Sequence, residues 1–206
     1  MEPFDLLDRC YPGARAESKR QILRCALALF NQYGMEATTI DLIRTQSQSS
    51  VGSIYHHFGN KEGVIAALYL SALDDQSQLR NAYLRDAKNL RDGVFALVFS
   101  YVDWVAANPE WARFMFMARF SLSNSKYGEQ LNAANAARNE ALKEWVGRYG
   151  HQERLQAHPF ELLPSLLIGA AESYCRAWLS GRVKQSPEVY REPLAHAAWQ
   201  SLEIPA

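Results

Sequence analysis

Apolar residues along this 206-residue chain recur at spacings of three and four positions in nearly every segment. That spacing places them on one side of an α-helix, whereas a half-buried strand would alternate every two residues. No sustained two-residue alternation and no run rich in β-branched residues interrupts the pattern. The sequence therefore predicts an all-α protein of about nine helices.

Three helices are predicted in the N-terminal third, over about residues 16–33, 39–47 and 50–57. The first has an apolar face and should end at Gly34, because glycine commonly follows the last helical residue. That face comprises Ile22, Leu23, Ala26, Leu27, Phe30 and Tyr33. The hydroxyls of Thr38 and Thr39, and that of Ser50, can cap the starts of the second and third helices.

Six further helices follow the break at Gly59-Asn60, and beyond about Asn89 the helices are longer and richer in aromatic residues. We expect them near residues 61–84, 90–107, 110–120, 127–149, 159–180 and 187–202. Asn108-Pro109 should end the helix before it, because proline disfavours the helical conformation in the preceding residue. The segment 110–120 is apolar on nearly all sides and is expected to be buried.

The charge distribution points to a modest nucleic-acid footprint. Lysine and arginine together equal aspartate and glutamate at 22 each, which argues against a protein that coats nucleic acid by bulk charge. Between Arg9 and Lys61, however, seven basic residues stand against three acidic ones, a local surplus of four. A basic N-terminal region is typical of a DNA-binding module, although such clusters often only solvate a surface.

Other features of the composition indicate a soluble protein of the cytoplasm. No apolar stretch approaches the roughly 20 residues that cross a membrane, and the acidic start is unlike a secretory signal. Cys10, Cys25 and Cys175 are widely spaced and are expected to be reduced thiols. We predict no metal and no cofactor: adjacent histidines such as His56 and His57 point in different directions on a helix, and His57 is expected to pack locally.

Two short helices joined by a few polar residues, the second opened by Ser50, form the pattern of a helix-turn-helix. The run from Gly52 to Glu62, GSIYHHFGNKE, resembles the recognition-helix sequence of the tetracycline-repressor (TetR) family, in which Gly-x-Leu-Tyr-x-His-Phe precedes Lys-Glu. The resemblance extends over about residues 16–70. It implies a DNA-binding domain over residues 1–62 and a larger helical domain for effector binding and dimerisation over residues 63–206.

The resemblance also implies which side chains meet DNA. Those expected to face the phosphate backbone are Thr39, Tyr55, His56 and Lys61. Those expected nearest the bases are Ser50, Val51 and Ser53. From the residues alone, a hydroxyl at a helix start, a phenol and an ammonium are suitable phosphate partners, and Tyr55 could instead be a core aromatic.

The turn departs from the family's usual sequence. Relatives commonly have Ala-Gly-Val where this chain has Ser47, Gln48 and Ser49. Gln48 lacks the freedom of glycine at positive φ, and Ser49 brings no methyl groups to the small core. These departures predict a turn that is looser, longer or shifted in register.

Aromatic residues of the C-terminal part could line a cavity for a small apolar or amphipathic effector, or could simply fill the core. The predicted lining residues are Tyr101, Trp104, Trp111, Phe114, Met117, Phe120, Arg138, Trp145, Tyr174 and Trp178. The last two helices carry more apolar and small residues than a monomer surface needs. The resemblance implies a homodimer built from them, as against packing within one chain, through Leu163, Leu166, Leu167, Ala170, Leu194, Ala197, Ala198 and Leu202.

The sequence thus favours a dimeric regulator that binds double-stranded operator DNA and is released by an effector, with the helix near 61–84 as the lever. Two alternatives stay open: a dimeric interaction protein with impaired DNA binding, and a small helical enzyme. The enzyme is disfavoured because the chain has no nucleophile motif, phosphate-binding glycine loop or metal-ligand pattern.

Overall fold

The computed structural model describes residues 6–123, 128–149 and 152–203. Within these ranges the protein is entirely helical, which confirms the predicted class. The eleven α-helices of the described residues are α1 Leu6–Cys10, α2 Glu17–Ala37, α3 Ile40–Ser47, α4 Val51–Phe58, α5 Lys61–Arg85, α6 Leu90–Ala107, α7 Pro109–Ser123, α8 Gly128–Tyr149, α9 Glu153–Gln156, α10 Leu163–Leu179 and α11 Arg191–Gln200. Short 3₁₀ turns at Ala14–Ala16 and Pro187–Tyr190 precede α2 and α11.

The packing divides the chain into two compact units. The first comprises Met1–Asp75 and Glu110–Ala136, and the second comprises Gln76–Pro109 and Ala137–Ala206. Helix α5 continues from one unit into the other at Asp75 and Gln76. The domain boundary drawn at residue 62 came from the sequence resemblance, and it stays a prediction.

Helix α2 differs from its prediction at its C-terminal end. Gly34 has φ 81° and ψ 173°, a backbone conformation that only glycine adopts readily, so it breaks the helix without ending it. The hydroxyl of buried Thr38 donates to the carbonyls of Gly34 at 2.8 Å and Leu29 at 3.2 Å, which ties the end of α2 to the part of the helix before the break. Tyr33, which was assigned to the apolar face, is 53% exposed. The apolar face therefore ends at Phe30.

A short N-terminal helix that the sequence did not predict belongs to the first unit. Leu6 and Leu7 of α1 are almost fully buried, with exposed fractions of 2% and 0%. The Tyr11 hydroxyl lies 3.2 Å from the Ser71 hydroxyl of α5. Because isolated helices of this length do not form, tertiary burial is what stabilises α1.

In the second unit, α6 packs against both α10 and α11. Asp103 of α6 accepts hydrogen bonds from the Tyr83 hydroxyl and from the Arg191 guanidinium, both at 2.7 Å. The bond to Asp103 raises the pKa of Tyr83, because a phenol that donates to a carboxylate loses its proton less readily. The cluster ties α5 and α11 to α6 by side chains that the sequence places far apart.

Two further expectations differ in detail. Helix α7 is not buried on all sides, because Arg113, Met117 and Arg119 are exposed. The connection before α10 contains the short helix α9, and α10 starts at Leu163 rather than at Pro159. No helix among the described residues combines the length and the hydropathy needed to cross a lipid bilayer.

The three cysteine thiols are all free. Cys175 is fully buried, and burial raises its pKa to about 12. A thiol that stays protonated is a poor nucleophile, so Cys175 acts as a core residue.

Candidate nucleic-acid interface

The turn between α3 and α4 is tight, contrary to the expectation from its sequence. Gln48 lies in the left-handed helical region at φ 54° and ψ 30°. The amide of Ser49 donates to the Arg44 carbonyl at 3.2 Å, and that of Gln48 donates to Thr45 at 3.4 Å. This pair of bonds is the Schellman arrangement, in which the residue at the glycine position takes positive φ. The turn keeps its register with glutamine in that place.

Serine also fits where the turn meets the core. Ser47 is buried, and its hydroxyl donates to the Ile43 carbonyl at 2.6 Å. A polar group can be buried at little cost when it is hydrogen-bonded, so serine fits at position 47. Ser49, for which the lack of methyl groups was expected to matter, is half-buried.

Both helices of the motif begin with a side-chain cap. The Thr39 hydroxyl accepts from the amide of Leu42 at 3.2 Å, and the Ser50 hydroxyl accepts from the amide of Ser53 at 3.0 Å. Capping fixes the first residue of each helix, as the sequence predicts. It also occupies one acceptor site on each hydroxyl, which leaves the hydroxyl hydrogen available to a phosphate oxygen.

Helix α4 has a buried side and an exposed side. Ile54 and Phe58 are 0% and 7% exposed. Val51 and Tyr55 are 41% and 52% exposed, and His56 is also exposed. We call Val51, Tyr55 and His56 the outward face of α4. Within the described chain this face is open to solvent, and Tyr55 is not a core aromatic.

Lys61 has a structural partner that the sequence did not predict. Its ammonium nitrogen lies 2.9 Å from the Met35 carbonyl, near the end of α2. An ammonium has three donors, so two remain for a phosphate group. The side chain of Asn60 caps the start of α5 by accepting from the amide of Gly63 at 2.8 Å.

The adjacent histidines lie beside each other at the end of α4. The ring centres of His56 and His57 are 5.3 Å apart, and both side chains are exposed. Partial desolvation lowers the pKa of His57, and the charges of His56 and Lys19 lower it further. His57 packs locally, with its ring centre 5.8 Å from that of Phe58, but it makes no hydrogen bond among the described residues.

Ser18 lies beside α4, and the sequence did not predict this position. The Ser18 hydroxyl of α2 lies 3.4 Å from the Ser53 hydroxyl of α4, although the two are 35 positions apart. Nothing in the local sequence at Ser18 indicates this proximity, because it depends on how α2 packs against α4.

The predicted effector residues are distributed over both units. In the first unit, Trp111 and Phe114 are buried, Met117 is 38% exposed, and the Phe114 ring packs 5.7 Å from that of Phe30. In the second unit, Trp104 and Trp145 are buried. Three other aromatic residues of this unit are half-buried, namely Tyr101, Tyr174 and Trp178. The side chains of Phe120 and Arg138 lie outside the described residues.

Trp145 is the member of this set with an unusual environment. Its indole packs so tightly on Gly93 that a Cβ there would lie 2.1 Å from the ring. The side chain is 2% exposed, and its Nε1 has no hydrogen-bond partner among the described residues. Buried donors are normally paired with protein, water or ligand. Among the predicted effector residues, Trp145 is therefore the strongest candidate for a ligand contact.

The predicted dimer residues divide by burial. Leu163, Leu167, Ala198 and Leu202 are at most 5% exposed, so packing within the chain already covers them. Ala170 and Ala197 are exposed, and Leu166 and Leu194 are half-buried. A surface for a second copy on these helices would therefore use Leu166, Ala170, Leu194 and Ala197.

Comparison with known proteins agrees with the helix-turn-helix. Residues 22–68 match the family profile described as bacterial regulatory proteins, tetR family. The uncharacterized regulator YhgD of Bacillus subtilis is 26% identical over 88 residues, which cover 43% of this chain and 46% of YhgD. The activator FasR of Mycolicibacterium smegmatis is 23% identical over 189 residues, covering 91% of this chain and 84% of FasR. The matched part spans less than half the length of YhgD and of the Klebsiella pneumoniae regulator BetI.

The whole-chain fold also has solved counterparts. The transcriptional regulator FadR of Bacillus subtilis, in complex with stearoyl-CoA, superposes with a TM-score of 0.75 at 14% identity, covering 90% of this chain and 100% of FadR. Fold and interface together define a helix-turn-helix protein with a C-terminal helical region. Residues 22–68 are a TetR-family helix-turn-helix region, and the whole chain shares the fold of TetR-family regulators of solved structure.

Proposed function

We propose that the protein is a DNA-binding transcriptional regulator whose α3–turn–α4 segment docks on duplex DNA. The observation that supports this most directly is the two-sided character of α4. Its apolar side holds it to the core, while its outward face is exposed and α4 starts at a capped residue. A short helix presented in this way fits the major groove.

The polar residues of the motif suit two kinds of contact. Thr39, Tyr55, His56 and Lys61 are proposed to bind phosphates, which set the position of the protein on DNA. Ser50, Val51 and Ser53 are proposed to approach base edges, where hydroxyls can donate or accept and the methyls of valine can contact thymine.

We further propose that the protein acts as a homodimer. A dimer presents two recognition helices to successive major grooves, about 34–36 Å apart. Leu166, Ala170, Leu194 and Ala197 supply an apolar, small-residue surface on α10 and α11 for a second copy. Small side chains suit such a surface because they allow close approach of helices.

The proposed regulatory input is a small apolar or amphipathic effector that releases the protein from its operator. The buried, unpartnered indole of Trp145 supports a site that offers a hydrogen-bond donor among apolar groups. The complex of FadR with stearoyl-CoA suggests long-chain acyl-CoA as the first class to test. The effect on transcription is proposed to be repression, whereas FasR is named an activator.

Fluorescence anisotropy with duplexes from the DNA upstream of the gene tests DNA binding. Tyr55→Phe removes the phenol hydroxyl and should weaken binding, and Lys61→Ala should weaken it on all sequences and flatten its salt dependence. Lys88→Ala, which removes an exposed lysine of the second unit, should leave binding unchanged. A folded protein that binds no duplex would refute the proposal and favour the interaction protein.

Native mass spectrometry of the purified protein, followed by titration with stearoyl-CoA, tests the effector. Trp145→Phe removes the indole donor and should weaken binding of an effector that accepts a hydrogen bond there. Reciprocity requires that the effector and the duplex lower each other's affinity by the same factor. Duplex affinity that is the same in calorimetry with and without bound effector would refute this linkage.

A further inference from the structure

The basic residues near the start of the first unit sort into two groups. Arg9 lies 2.7 Å from Asp75, and Arg20 and Arg24 each lie 2.9 Å from Asp8. These three guanidinium groups are neutralised inside the protein. The local surplus of four counts these arginines but not Asp8 and Asp75, which fall outside the stretch from Arg9 to Lys61, so the unpaired positive charge is smaller than the surplus indicates.

Arg15 and Lys19 form the second group. Neither has a carboxylate partner among the residues that the structure describes. Arg15 is exposed, and Lys19 is half-buried. Their charges are thus directed to solvent or to a bound anion.

Two aromatic rings hold the Lys19 ammonium in place. Its nitrogen lies 4.0 Å from the centre of the Tyr11 ring and 5.8 Å from that of Phe58 in α4. Burial lowers the pKa of Lys19, since a cation partly removed from water is stabilised less. The rings compensate in part, and an anion at this position would compensate further.

The position of Lys19 follows from the N-terminal segment. The Arg20 guanidinium donates to the carbonyls of Tyr11 at 2.6 Å and Gly13 at 2.9 Å. This anchors the chain before α2 and places the Tyr11 ring beneath the Lys19 ammonium. Residues 6–13 lie outside the stretch matched by the family profile.

The unpaired cations adjoin the proposed DNA-binding surface. Ser18, next to Lys19, lies 3.4 Å from Ser53 on α4 through the two hydroxyls. The charge of Lys19 also lowers the pKa of His57 at the end of α4, so the two groups are close in space. The start of α2 therefore lies beside α4, next to Ser53 and His57.

We propose that Arg15, Ser18 and Lys19, here called the α2 flank, bind the phosphate backbone of the same duplex that α4 contacts. This inference rests on the proposed function and extends its interface. The flank adds two cations that have no carboxylate partner in the part of the chain that the structure describes. It sets affinity and position on the duplex and does not select sequence, because phosphates are the same at every base pair.

The salt dependence of duplex binding tests the flank. Each phosphate contact contributes about 0.9 to the slope of log affinity against log salt. Arg15→Ala and Lys19→Ala should each reduce the slope by about that amount, so a fourfold rise in salt weakens each variant about 3.5-fold less than the wild type. The loss should be equal on upstream and unrelated duplexes.

Controls separate this inference from the proposed function. Lys19→Arg retains the charge and should keep the wild-type slope, and Lys88→Ala should do the same. Circular dichroism establishes that each variant is folded, and exposed Arg15 provides a test that does not disturb the Tyr11 contact. If Tyr55→Phe and Lys61→Ala weaken binding while both flank variants bind like the wild type, the flank alone is refuted. A wild-type protein that binds no duplex overturns both.

Discussion

Replacing Gln48 by glycine should stabilise the protein. Gln48 is held at φ 54° and ψ 30°, and its side chain is exposed and makes no hydrogen bond to a described residue. The left-handed conformation costs an L-residue about 1–2 kcal/mol, and glycine avoids that strain. Glycine also increases the conformational entropy of the unfolded chain, which reduces this stabilisation by about 0.4–1 kcal/mol. The expected increase in the free energy of unfolding is therefore about 0.5–1 kcal/mol.

Urea unfolding followed by circular dichroism measures this gain, and thermal unfolding should show a midpoint about 1–4 °C higher. Gln48→Ala keeps a Cβ and should stay within about 0.5 kcal/mol of the wild type. Gln46→Gly places glycine in the last turn of α3 and should destabilise by about 0.5–1 kcal/mol. Duplex affinity should be unchanged, because Gln48 is not among the proposed contacts. Equal destabilisation by glycine at both positions would refute the left-handed turn.

Three further predictions concern other parts of the chain. Gly93→Ala would bring a Cβ to 2.1 Å from the Trp145 ring and should lower the free energy of unfolding by about 1–3 kcal/mol. The control Gly147→Ala has no atom within 4 Å of its Cβ and should be neutral or stabilising by up to about 1 kcal/mol. Urea unfolding measures both variants. Gly34→Ala should cost about 1–3 kcal/mol by the same measurement, because of backbone strain alone, and a neutral result would contradict the break in α2. In the free protein, desolvation and the charges of His56 and Lys19 lower the pKa of His57. A DNA phosphate near His57 should raise that pKa, so binding takes up a proton. Duplex affinity should therefore increase as pH falls from about 8 to 6. In anisotropy titrations His57→Gln should reduce this pH dependence, and an unchanged profile would exclude His57 as its source.

The helices and the DNA-binding motif could be predicted from the sequence because their signals are local. Asn89 caps α6 by accepting from the amide of Asp92 at 2.9 Å, and the predicted bounds of that helix agree with Leu90–Ala107. The two-sided pattern of α4 likewise depends only on residues within two turns. Such signals act over three or four positions, which is the distance a sequence pattern can report.

Tertiary structure alone decided which groups are partners. The sequence could not indicate that Arg9 meets Asp75, 66 positions away, or that Lys61 bonds to Met35. Helix α1 forms because its leucines are buried, and Gln48 takes a left-handed conformation because the helices on both sides hold the turn. Composition and periodicity indicate where most of the helices lie, but the choice among many possible charge and packing partners depends on how those helices meet.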